Sequence, residues 1–158
     1  MRIESWKFVY IGGILSLISL FIPSHWNAAI SGSDYFSLYT WMLGFIIKFK
    51  NRSPYAIYWL GHPRLSIMFI WMLVSLISAL LVTISSISLI LHAIDIKNKK
   101  ANREKKFQKF AILLILTAVF YIIFTSSFIW MIPVYGSISL MIGAILSIVG
   151  IRKFLREI

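Results

Sequence analysis

The sequence contains no cysteine and only five acidic residues among 158. Without cysteine there are no disulfides, thiolate zinc sites, iron–sulfur ligands or thiol nucleophiles. Charged residues make up 13% of the chain, about half the share of an ordinary soluble domain, while 59% fall in the hydrophobic set. A water-soluble globule of this length could not bury that apolar excess. The sixteen basic residues give a formal charge of +11, but they punctuate apolar runs and line no polar face. They therefore indicate orientation in a membrane and not nucleic-acid binding. Nor does the basic loop carry the aromatic stacking platform that nucleic acid needs.

What is present is four apolar runs. Crossing a hydrocarbon core takes about 20 helical residues, and spans are expected at about 6–23, 65–94, 110–132 and 134–151. The first is short, bounded by Lys7 and Pro23. Its charged start resembles a signal peptide, but no small-x-small cleavage site follows, and it is expected to stay as a helix. Only Pro133–Ser137 separates the last two runs, which predicts a tight helical hairpin. The expected fold is thus an all-α integral membrane protein, a four-helix transmembrane bundle in one domain.

Twelve Lys and Arg residues lie near one set of helix ends and four (Lys48, Lys50, Arg52, Arg64) near the other. The positive-inside rule then places both termini, the basic loop 95–109 and the tail 152–158 in the cytoplasm of a cell whose plasma membrane the chain crosses. The loop 23–64 faces outside. A fifth span through Phe36–Ile47 has only 12 residues and would invert the basic loop, so it is rejected.

The external loop holds ten aromatic residues. A free loop would leave them in water, so a lid at headgroup level is expected, with Trp26, Tyr39, Trp41, Tyr58 and Trp59 as its partner-facing surface. Residues 45–50, the turn signal at Asn51–Pro54 and the run Tyr55–Trp59 permit a short β-hairpin, whereas Tyr35–Ile47 permits an interfacial helix. Both alternatives stay open at this level. Asn51-Arg52-Ser53 also fits a glycosylation sequon, disfavoured by the following Pro54.

None of the four apolar runs has an acid or base in its central part, whereas proton coupling and intramembrane catalysis need ionisable groups at depth. No enzyme and no cofactor are expected. His25, His62 and Asp34 are the weak metal candidates, sharing one loop. Small residues recur at helical spacing: Gly136, Ser139, Gly143, Ser147 and Gly150 in the fourth span, Ser75, Ala79, Thr83 and Ser86 in the second, and Gly12 and Ser16 in the first. Such stripes let helix backbones approach closely, either within the bundle or against another subunit. Lys97, Lys99, Lys100, Arg103, Lys105, Lys106 and Lys109 are expected to meet anionic lipid headgroups.

A short N-terminus, a large first external loop containing Trp41 and Gly44, a basic inner loop, and Arg64 just before the second span resemble the claudin/PMP22-like tetraspan arrangement. The likeness is one of topology; the GLW motif and the cysteine pair of that family are missing here. It would imply an adhesive or barrier role for the loop. The expected function is that of an accessory or scaffolding subunit whose partners are other membrane proteins or itself; the alternatives are an oligomeric channel or transporter lined by Ser and Thr of the second helix, and a claudin-like adhesion or envelope protein.

Overall fold

A computed structural model describes residues 4–31, 33–58, 66–98, 105–129 and 132–157. Four helices run antiparallel in sequence order: α1 (Ser5–Ile18), α2 (Ser66–Lys97), α3 (Lys105–Ile129) and α4 (Tyr135–Glu157). Each packs on two neighbours, α1 between α2 and α4, and α3 closing the ring. Three contain stretches long and apolar enough to cross a membrane: Ile70–Lys97, Phe107–Ser127 and Tyr135–Arg156. The 14-residue α1 is apolar but shorter. Large aliphatic side chains lie exposed along all four helices, among them Ile11, Leu80, Leu116 and Ile145. In water such a surface would be costly; in lipid it is the solvent-matched face.

The expected all-α fold needs correction at the segment joining α1 to α2. It folds as strands β1 (His25–Ser31), β2 (Asp34–Thr40), β3 (Ile46–Lys50) and β4 (Ser53–Tyr58), an antiparallel meander. A fifth strand, β5 (Ile132–Pro133), comes from the α3–α4 connection and pairs with β1, giving the order β4-β3-β2-β1-β5. The hairpin reading anticipated part of this, and the interfacial helix does not form. Asp34–Thr40 alternates sides, and its β-favouring Tyr, Phe and Thr fit a pleated surface better than a helix. A strand also gives its backbone groups partners on both flanks.

Two turns fix the meander's register. Gly44 (φ 84°) reverses the chain between β2 and β3, with its N–H on the Trp41 carbonyl at 3.0 Å; only glycine adopts that region freely. Asn51 and Arg52 both have positive φ (49° and 70°) in the two-residue loop closed by Lys50↔Ser53. That pattern is a type I′ turn, whose twist matches antiparallel strands. Pro54 sits on edge strand β4, where a missing N–H can be tolerated.

The helices also outrun their apolar segments at the end remote from the sheet. There α3 begins at Lys105 and α4 continues to Glu157, so part of the expected basic loop and tail is helical.

Candidate functional site

The α1–α4 contact is built from the small-residue stripes. A Cβ on Gly12 would come within 2.5 Å of the Gly143 carbonyl oxygen, and one on Gly150 within 2.8 Å of the Val9 nitrogen. Gly136 lies against the Pro23 carbonyl, which accepts its N–H at 2.9 Å. Ser139 Oγ donates to the Leu15 carbonyl at 3.1 Å. Ser16 and Ser147 donate to Gly12 and Gly143, four residues back in their own helices, both at 2.9 Å; this satisfies the hydroxyls locally. In α2, Ser75, Ala79 and Ser86 are buried, and half-buried Thr83 donates to the Ala79 carbonyl at 2.8 Å.

Where sheet meets bundle, a polar junction forms around Ser24, a residue not singled out from sequence. Its N–H donates to the Thr40 carbonyl (2.7 Å), and its own carbonyl accepts from the Val134 N–H (2.9 Å) and from Ser137 Oγ (2.7 Å). Its hydroxyl lies 2.8 Å from the Tyr121 hydroxyl and 3.0 Å from the Thr40 carbonyl. One serine therefore ties β2, α3 and α4 to the exit of α1. Beside it, buried Trp71 of α2 donates to Thr125 of α3 at 3.3 Å and packs with Ile46 and Met72. The available sequence signal was Tyr121, a phenol inside an apolar span, which requires a buried partner.

His25 heads the bundle-facing row of the sheet, in register with Thr40 and, through it, Ile46; all three are fully buried. Its ring meets Tyr121 edge-on at 5.5 Å. Desolvation lowers its pKa from the ordinary 6.5 to about 4, opposed by the backbone of Ile122.

The expected metal trio does not assemble. Asp34 sits at the far end of the β1–β2 ladder from His25, about 20 Å away by strand rise. His62 lies outside the described residues. Lys50, at 2.8 Å, and then the Asn51 amide, at 3.0 Å, hold the Asp34 carboxyl below its ordinary pKa. Among the described residues no three His, Cys, Asp or Glu side chains cluster as a metal site.

The sheet face turned away from His25 carries Trp26, Tyr35, Tyr39 and Phe49, whereas Phe36 falls on the His25 side of β2. Trp26 pairs with Tyr39, Tyr39 meets Phe49 edge-on at 5.6 Å, and Trp41 stacks on Phe45 at 4.8 Å while donating to the Phe21 carbonyl at 3.2 Å. Pro23, Tyr35, Tyr39, Trp41, Phe49 and Arg52 line an open groove of about 490 Å³. Tyr58 closes β4 opposite Ile46, and Trp59 is outside the described residues.

At the opposite pole the helix ends are basic. Lys97 of α2 lies over the Trp6 ring of α1 at 5.2 Å, and Lys153 over Phe8 at 5.6 Å. His92 stacks on Phe107 at 3.6 Å and meets Phe154 edge-on. Lys105, Lys106 and Lys109 fall in the opening turns of α3, while Lys99, Lys100 and Arg103 lie outside the described residues. No protein-family model matches the chain, and no curated protein matches it.

Proposed function

We propose that the chain is a non-catalytic multi-pass membrane protein that works as an accessory or scaffolding subunit, with its sheet as the partner-binding surface. The sheet supports this reading most directly. Its bundle-facing row is consumed by packing, while its other face presents the aromatic groove and an unpaired edge strand, β4, where Ile57 is 64% exposed. Aromatic side chains with one arginine are the composition of protein contact surfaces. By the positive-inside rule, the twelve basic residues that the sequence places beside one set of helix ends support an outward sheet and inward termini across the plasma membrane.

The packing of α1 against both α4 and α2 supports a fourth span, its shortfall in length to be met by local thinning of the bilayer. The adhesive role implied by the claudin/PMP22-like resemblance is the second reading, favoured by the gathering of both external segments into one sheet. An oligomeric pore lined by α2 hydroxyls has less support, since Ser75, Ser85 and Ser86 are buried against their own bundle.

The cysteine-free sequence makes the test direct. Ser33→Cys, at the sheet's tip, should react with a membrane-impermeant maleimide in intact cells; Arg156→Cys should react only after permeabilisation. A photo-crosslinking residue at Ile57 should then capture a membrane partner in the same cell. Adducts only between neighbouring cells would favour adhesion. No adduct at native expression would end the subunit reading.

A further inference from the structure

Between α3 and α4, at the basic pole, a cleft of about 60 Å³ is lined by Gln108, Ala111 and Ile112 on one side and Ile148, Ile151 and Arg152 on the other. Its floor is apolar and fully enclosed at Ala111 and Ile151. Its outer lip is Ile112, part of the exposed aliphatic surface of α3. A hollow of this kind offers water no hydrogen bonds and is filled by methylenes. Gln108 and Arg152 complete its almost wholly apolar lining with their stems, and exposed Arg152 stands where the apolar part of α4 gives way to charge.

Charge decides the occupant. Among the residues whose side chains are described, this pole carries Lys7, Lys97, Lys109, Arg152, Lys153 and Arg156 against Glu4 and Asp95. Arg152 is exposed and makes no ion pair among the described residues. An exposed guanidinium bordering an apolar cleft matches a phosphodiester with a chain below it, because arginine pairs with phosphate through two parallel hydrogen bonds. We infer that this cleft is a specific site for one anionic phospholipid, its phosphate on Arg152 and part of an acyl chain against Ile112 and Ile148. The inference rests on the membrane reading above. It goes beyond headgroup attraction by the basic pole as a whole, since it names one cleft and one stoichiometry.

The test is native mass spectrometry of the full chain released from nanodiscs of equal parts dioleoylphosphatidylglycerol and dioleoylphosphatidylcholine. One phosphatidylglycerol should be retained per chain. Arg152→Gln should lower that retention about fivefold, whereas Lys7→Gln, which removes the same charge at the same pole, should leave it unchanged. Equal retention of the two lipids, or equal loss in both variants, would overturn the site. Oleate captured as strongly, with the same dependence on Arg152, would overturn the phospholipid and leave a fatty-acid cleft. A chain extracted from membranes by alkaline carbonate would instead refute the membrane reading itself, so the two failures are separable.

Discussion

Gly12 of α1 and Gly143 of α4 face each other so closely that a Cβ on the first would lie 2.5 Å, and on the second 2.7 Å, from the partner's carbonyl oxygen. The clash would be with backbone, which cannot rotate away. Gly12→Ala or Gly143→Ala should therefore destabilise the bundle by about 1–3 kcal/mol, the range for overpacking. Ile145→Ala, on the exposed side of the same helix, should stay within about 0.5 kcal/mol. Steric trapping in bilayers or denaturation in mixed micelles measures both.

The spacing of these glycines could be read in advance, because small residues four apart have few uses in an apolar helix other than close packing. Which helix they met could not. Gly12 with Ser16 and Gly143 with Ser147 repeat the same interval on two helices, and only the three-dimensional arrangement pairs them.

The segment joining α1 to α2 was legible as something that must bury its aromatics, and its Asn51–Pro54 turn was visible. Its conversion into a sheet depends on partners remote in sequence. The two-residue β5 carries no periodicity at all; it exists because Ile132 and Pro133 lie beside Trp26 and His25. Ser24 gave no signal for the same reason, since its partners Tyr121 and Ser137 are about a hundred residues away.

His25 makes the docking of the sheet sensitive to pH. Its pKa is about 4 when folded and returns to about 6.5 in the unfolded chain. Between those values the unfolded state takes up the proton first. The stabilisation is complete above about pH 6.5 and is lost as pH falls toward 4, a loss on the order of 3 kcal/mol. Chemical unfolding at pH 7.5, 5.5 and 4 should follow that course. His25→Phe, with a ring of similar size against Tyr121, should flatten the dependence while keeping most of the stability at neutral pH.

The Ser24–Tyr121 hydrogen bond should appear as a coupling energy. Tyr121→Phe removes one buried hydroxyl, while Ser24 keeps its bond to the Thr40 carbonyl. A cost of about 1 kcal/mol is expected. Combined with Ser24→Ala, the double mutant should cost less than the two single changes together, by about 0.5–1 kcal/mol. Strict additivity would mean that the bond contributes nothing to holding α3 under the sheet.

Arg52 occupies the second position of the type I′ turn with φ 70°, where glycine is preferred and a side chain is strained. Asn51, the first position, suits that region and also receives the Tyr35 N–H at 2.8 Å. Arg52→Gly should therefore stabilise the β3–β4 hairpin by about 0.5–1 kcal/mol, seen as slower amide exchange in β3 and β4. The same change removes the guanidinium from the aromatic groove that Arg52 helps to line. If the groove is the partner-binding surface, crosslinking from Ile57 should fall while the hairpin becomes more stable. A strained residue kept for binding separates the two quantities in that way, whereas a purely structural turn would leave the crosslink unchanged.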